Sequence, residues 1–225
     1  MSTYILMKIL ESAPTRYDKG IRLLTFGKLD ASYDRLTANI QSGQKVLDIG
    51  CGTGALSLRA AQKGAMVKGI DVNSQILEIA QQRAEELQLS NSIEFLEMGV
   101  TELENEETES YDIVMSGLCF SELTEDEFIF TLEQINRILK PDGLLLVADE
   151  VKPDKILNRI IIWLIRFPLL IISYIFTQTA THAIKDLPQK MRNSGLTIRY
   201  VRLTKAKNFI EIVAQKYDDA QNELV

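Results

Sequence analysis

At 225 residues the chain is long enough to bury one core and short for two ordinary domains. Its 25 Lys and Arg stand against 31 Asp and Glu, a formal charge of -6, which leaves no broad positive field for nucleic acid. Cys51 and Cys119 are too few for a disulfide framework or a thiolate metal site, and the opening MSTYILMKILESAPTRYDKG has charges inside its apolar stretch, unlike a secretory leader. A single domain in a reducing cytoplasm is expected, without a metal and without nucleic acid.

From residue 45 apolar runs alternate with amphipathic stretches, the pattern of parallel strands with helices packed on both faces. Strands are expected over Lys45 to Gly50, Met66 to Asp71, Ile93 to Met98, Asp112 to Ser116 and Gly143 to Glu150. Between them SLRAAQKG, SQILEIAQQRAEELQL and TEDEFIFTLEQINRILK space their apolar residues at three and four, and the last opens on a Thr124/Glu127 capping box. The acidic run TELENEETESYD reads as a solvated loop. After Pro188, QKMRNSG reads as a helix ending at Gly195, and LTIRYVRLT and NFIEIVAQK as two alternating strands joined by KAK. The fold class expected is α/β: a Rossmann-like, mostly parallel sheet of seven strands, with a C-terminal antiparallel hairpin and helices on both faces.

KVLDIGCGTGAL, residues 45–56, sets Gly50, Gly52 and Gly54 between the first strand and a helix. In an open parallel sheet that turn is where a nucleotide cofactor collects. Asp71, at the end of the second strand, is placed to accept hydrogen bonds from both ribose hydroxyls. The glycine spacing also satisfies the relaxed dinucleotide fingerprint, so a nicotinamide cofactor stays open on these residues alone. Asp48 weighs against it: a carboxylate two residues before the first glycine opposes a pyrophosphate and suits an ammonium or sulfonium. S-adenosylmethionine carries both.

VLDIGCGTG, GIDVNSQILEIAQQRA, YDIVMSGLCFSEL and LKPDGLLLVADE, in this order and spacing, resemble the class I S-adenosylmethionine-dependent methyltransferases over residues 45–151. The resemblance implies that Asp48 and the turn Gly50, Cys51, Gly52, Thr53 and Gly54 hold the methionine end, and that Asp71 holds the ribose. It implies that Val72 and Asn73 border the adenine. Gly99, Val100 and Ser116 fall in the same cofactor set. Many members carry an acid where this chain has Val100, so the adenine amino contact passes to backbone or to Thr101. Both flanks, APTRYDKGIRLLTFG and DEVKP with DLPQKMRNSGLTIRYVRLTKAKNFIEIVAQK, are similar to the ubiquinone and menaquinone C-methyltransferases, which places Tyr17 over the cofactor. A His-His pair common in related enzymes is Ser121-Glu122 here. The opening is also similar to small methyltransferases associated with corrinoid proteins. The domain divides accordingly into an N-terminal helical cap (1–44), a cofactor-binding core (45–151), an apolar insertion (152–187) and the last helix and hairpin (188–216).

Methyl transfer needs alignment and exclusion of water rather than a nucleophilic side chain. His182, the lone histidine, is the candidate to take a proton from a phenol or enol acceptor. ILNRIIIWLIRFPLLIISYIF, residues 156–176, is long enough to span a bilayer but contains Arg159, Arg166 and Pro168. It reads as a pocket lid or interfacial helix, with core packing and a membrane span as alternatives. The expected function is transfer of a methyl group from S-adenosylmethionine, leaving S-adenosylhomocysteine, to a small, lipophilic or quinone-like acceptor, with contact to a membrane surface or a corrinoid protein as options. The alternatives are work within a corrinoid protein system and a non-catalytic S-adenosylmethionine-binding module.

Overall fold

A computed structural model of the chain describes residues 28–151, 184–204 and 209–216. Tyr17, His182 and the 156–176 segment lie outside the described residues.

The seven strands are β1 (Lys45–Ile49), β2 (Met66–Asp71), β3 (Ile93–Glu97), β4 (Tyr111–Gly117), β5 (Leu139–Glu150), β6 (Leu196–Leu203) and β7 (Phe209–Lys216). They form one sheet in the order β3-β2-β1-β4-β5-β7-β6. β1 to β5 pair in parallel and β7 runs antiparallel to both β5 and β6. The expected mixed sheet is therefore the one observed. Its order reverses beside β1, the point where an open α/β sheet leaves a crevice at its carboxyl edge.

The described helices are α1 (Lys28–Leu36), α2 (Ala55–Gln62), α3 (Ser74–Glu86), α4 (Glu125–Ile138) and α5 (Leu187–Asn193). Alternation along the strands sends successive side chains into two cores. Val46, Val67, Ile113, Met115 and Leu146 pack with Leu29 and Tyr33 of α1, Leu56 and Ala60 of α2, and Ile76 of α3. Leu47, Ile49, Ile70, Val114 and Leu145 pack on the other face with Phe128, Leu132 and Ile135 of α4 and Met191 of α5. Each such large side chain taken fully out of water contributes about 1.5–3 kcal/mol before chain entropy is counted. The capping box of α4 is formed: Glu127 N donates to Thr124 Oγ1 at 3.3 Å and Thr124 N to Glu127 Oε2 at 2.9 Å.

Two local expectations are corrected. β5 starts at Leu139, not Gly143, because Leu139 already pairs with Tyr111 before the register shifts toward Ile113–Leu144; Asp142, at φ +61°, turns the chain within that irregularity. The acidic run is not a solvated loop throughout. Val100–Asn105 is a 3-10 helix that buries Leu103 completely, and Glu106 accepts from Lys68 Nζ and the Tyr111 hydroxyl, each at 2.6 Å. Arg137 ties the same run down by donating to the Leu103, Glu104 and Glu106 carbonyls.

Candidate functional site

β1 ends in a turn whose three glycines all hold positive φ: Gly50 at 65°, Gly52 at 53° and Gly54 at 80°. That region is costly for any residue with a Cβ. At Gly50 space forbids one as well, since an added Cβ would lie 2.5 Å from Cys119 Cβ and Sγ. The turn is also knitted to β2. Cys51 N donates to the Ile70 carbonyl at 2.9 Å, and Gly52 N to Asp71 Oδ2 at 2.9 Å; Gly54 N closes back on the Cys51 carbonyl at 2.9 Å.

Asp71 is half-buried, and its other oxygen, Oδ1, accepts from Asn73 N at 3.0 Å. Each carboxylate oxygen keeps a further lone pair for a ligand. Asn73 is the N-cap of α3, its side chain accepting from Gln75 N and Ile76 N, so its amide oxygen is already committed. Val72, between them, is 72% exposed, and a Cβ built on Gly99 would meet its Cγ1 at 3.6 Å. These two residues face each other across the carboxyl ends of β2 and β3. Val100 packs against the core on the α4 side.

Asp48 is 1% exposed. Its Oδ2 accepts from Ser57 Oγ of α2 at 2.6 Å, while Oδ1 is buried and has no hydrogen-bond partner. Burial pushes its pKa up to about 7, the Ser57 hydrogen bonds opposing the rise and the Asp71 charge adding to it. A second buried carboxylate, Asp149 at the end of β5, is pushed up to about 6 by burial against bonds from Ser121 and Glu150. Unlike Asp48 it is satisfied at both oxygens, by Ser121 N at 3.2 Å and Glu150 N at 2.6 Å.

Gly50, Cys51, Gly52, Thr53, Gly117 and Leu118 line a cleft of about 450 Å³ whose outer wall includes Tyr33, Asp30 and Asp34 of α1 and Arg59 of α2. Two arginines seat α1 over it. Arg59 bonds Asp30 and Asp34, each at 2.8 Å, and Arg35 bonds Ser32 and both oxygens of Glu211 on β7. The cleft therefore joins the turn to α1. Asp71, Val72 and Asn73 are not among its lining residues and stand beside it, at the end of β2.

Of the residues expected from sequence, Asp48, the glycine turn, Asp71, Val72 and Gly99 all gather along the carboxyl ends of β1, β2 and β3. Ser116 is placed differently. It is completely buried and donates to the Ile49 carbonyl at 3.1 Å, so its hydroxyl fixes β4 against β1. Cys51 and Cys119 are packing residues: burial drives both thiols well above the ordinary thiol range, away from reactive thiolate. Tyr33, Ser57, Arg59 and Asp149 were not foreseen. Ser57 had a usable signal, since a serine nine positions after a buried Asp opens the α2 face that covers β1.

Residues 46–143 match a family model described as a methyltransferase domain. An uncharacterized methyltransferase of Synechocystis sp. is 30% identical over 162 residues, covering 71% of this chain and 69% of that protein. A ubiquinone biosynthesis O-methyltransferase of Haemophilus ducreyi is 37% identical over 134 residues, 58% of this chain and 54% of that protein. The chain spans about half the length of the curated relatives it first matches, 42%, 48% and 54% of them. The solved structure of an O-methyltransferase family protein from Burkholderia thailandensis shares the fold, with a TM-score of 0.71 at 17% identity over 92% of this chain and 60% of that one. Topology, glycine turn and the match to the Synechocystis protein agree: the chain belongs to the class I S-adenosylmethionine-dependent methyltransferases.

Proposed function

We propose that this chain transfers the methyl group of S-adenosylmethionine to a small, lipophilic, quinone-like acceptor. The observation that carries the cofactor half is the orphaned Asp48 Oδ1. A buried carboxylate oxygen without a partner is costly and marks a place for a donor or a cation. The donor set fits the group. Asp48 would take the methionine ammonium, the free lone pairs of Asp71 the ribose hydroxyls, and exposed Val72 one face of the adenine. A dinucleotide fits less well. Its pyrophosphate would meet the Asp48 carboxylate and a turn whose Cys51, Gly52 and Gly54 N–H groups are already bonded.

When bound, the cofactor supplies a carbon activated by sulfonium for in-line displacement. The chain's own part is to bind, orient and keep water out, and α1, held by Arg59 and Arg35, forms one wall for that purpose. The acceptor half rests on the ubiquinone-biosynthesis name of the Haemophilus relative and on the apolar character of residues 156–176. Tyr17 over the cofactor and His182 as the acceptor's base belong to this proposal, as does contact of the apolar segment with a membrane surface. Among the described residues, no helix is long and apolar enough to cross a membrane.

Calorimetry with S-adenosylmethionine, S-adenosylhomocysteine and NAD, followed by transfer of labelled methyl to demethylated quinone precursors, tests both halves. Binding of the first two alone, with label appearing in a quinone precursor, is expected. Binding of NAD alone overturns the cofactor reading. Cofactor binding with no label in any quinone precursor overturns the acceptor reading and favours a binding module or a corrinoid-linked role.

A further inference from the structure

Tyr33 lies on α1 and is 5% exposed, yet it lines the cleft together with Gly50, Gly52 and Gly117. Its hydroxyl is seated at the end of β4: a Cβ added to Gly117 would stand 2.3 Å from it. Gly117 does not hold the positive φ of the turn glycines, so the missing side chain there makes room for the phenol rather than for a bend. Among the described residues that hydroxyl has no hydrogen-bond partner, and it is not one of the fully enclosed unpartnered atoms, so it keeps access to the cleft that Tyr33 lines and is free to bond a ligand there. Asp48 Oδ1, enclosed and unpartnered, lies on the same side of the sheet under Ser57 of α2, next to the turn and not among the residues that line the cleft. Burial and the nearby carboxylates of Asp48 and Asp149 hold the phenol far above its usual range, so it stays neutral and acts as a donor.

A ligand that satisfies both atoms must offer a donor or cation to Asp48 and an acceptor to Tyr33. An α-amino acid offers both on one carbon. Resting on the cofactor reading above, we infer that Tyr33 is a cofactor-binding residue that donates its hydroxyl proton in a hydrogen bond to the α-carboxylate of the methionine end while Asp48 takes the adjacent ammonium. The helical cap thereby reads the amino-acid end of the cofactor directly, and Gly117 is the position in β4 that admits it.

The test is Tyr33→Phe, which keeps the ring in its packing, measured by calorimetry against S-adenosylhomocysteine and against 5'-methylthioadenosine, which lacks the aminobutyrate group. Loss of one hydrogen bond to a charged group should weaken S-adenosylhomocysteine by roughly 10- to 100-fold and leave 5'-methylthioadenosine unchanged. A purely structural tyrosine would move both ligands equally or neither, and either result overturns the inference. The parent protein offers an arm that needs no variant: decarboxylated S-adenosylhomocysteine, which keeps the amine, should bind more weakly than the intact compound by a similar factor. Equal affinity for the two also overturns it. A parent that binds none of these ligands sinks the cofactor reading instead, which keeps the two failures apart.

Discussion

The Asp71 carboxylate binds the backbone N–H of Gly52, 19 positions earlier in the chain, at 2.9 Å. The residue proposed to hold the ribose is thus also the clasp that closes the glycine turn. Asp71→Ala removes this acceptor and the one for Asn73 N together, so its effect divides between turn and ligand. The expected loss of cofactor affinity is about 2–4 kcal/mol, the scale of two hydrogen bonds to a charged group. A 2'-deoxy cofactor analogue separates the parts. The parent should bind it more weakly than the normal cofactor, while Asp71→Ala should bind both alike; a variant that still discriminates means Asp71 does not touch the ribose.

Cofactor affinity should depend on pH through Asp48. The Ser57 hydroxyl of α2 donates to its carboxylate, and the Tyr33 hydroxyl of α1, the Cys51 thiol of the turn and the Asp71 carboxylate at the end of β2 lie within its electrostatic reach. None of them brings a positive charge, which is why burial holds the pKa at about 7. A bound ammonium requires the ionised form. Below that value a proton must leave before binding, so affinity should fall by roughly tenfold per pH unit once the protonated form dominates. Titrations between pH 5.5 and 7.5 should show this for S-adenosylhomocysteine and not for 5'-methylthioadenosine. A flat profile for the first compound would place the ammonium away from Asp48.

The same carboxylate should cost stability. Its folded pKa, about 7, lies above the unfolded value of about 3.9, so the folded state binds more protons between these limits. By linkage the free energy of unfolding then declines as pH rises through that window. Asp48→Asn, with no charge to bury, should melt higher than the parent at pH 8, by ~1–3 kcal/mol, with the difference vanishing near pH 4. It should bind S-adenosylhomocysteine poorly at both. A variant less stable than the parent at pH 8 would mean that the ionised carboxylate is compensated within the fold itself.

Local signals carried much of this in the sequence and tertiary ones did not. The strand-glycine-helix pattern at residues 45–56 and the Thr124/Glu127 capping box are spelled by neighbours, and both were legible. So was the final hairpin, from the apolar and polar alternation within LTIRYVRLT and NFIEIVAQK; burial there follows place in the sheet instead, with β6 at the edge exposed along most of its length and β7 buried over residues 210–212. Glu106 looked like one more solvated acid, since its partner Lys68 lies 38 positions away. Tyr33 was hidden for the same reason. Nothing within α1 says that its hydroxyl meets Gly117; the one hint was a glycine closing the apolar strand YDIVMSG, where no turn required it. Asp48 was legible by position, but its bonding to Ser57 and its raised pKa follow from α2 lying over β1.

Tyr33 can act only if α1 stays seated. Glu211 of β7 is 3% exposed and is bonded by Ser32 at 2.8 Å and by the Arg35 guanidinium at both oxygens. Burial works to raise its pKa, but the hydrogen bonds from Arg35 and Ser32 and the Arg35 charge outweigh it and hold the carboxyl below its usual range. That interaction stabilises the fold above the unfolded value of about 4.3 and is lost as pH falls through the depressed folded one. Arg35→Ala strands the buried carboxylate. The cost for breaking a buried pair is about 3–5 kcal/mol, reduced here to ~2–3 kcal/mol because Arg35 is itself 38% exposed. Replacing both partners, Arg35→Met with Glu211→Met, should recover most of this stability, since it removes the stranded charge along with its partner. The single variant, still folded at 25 °C, should also lose preference for S-adenosylhomocysteine over 5'-methylthioadenosine as α1 loosens and carries Tyr33 from Gly117. An Arg35→Ala protein that melts lower yet keeps that preference unchanged would show that Arg59, with its bonds to Asp30 and Asp34, is enough to seat the helix.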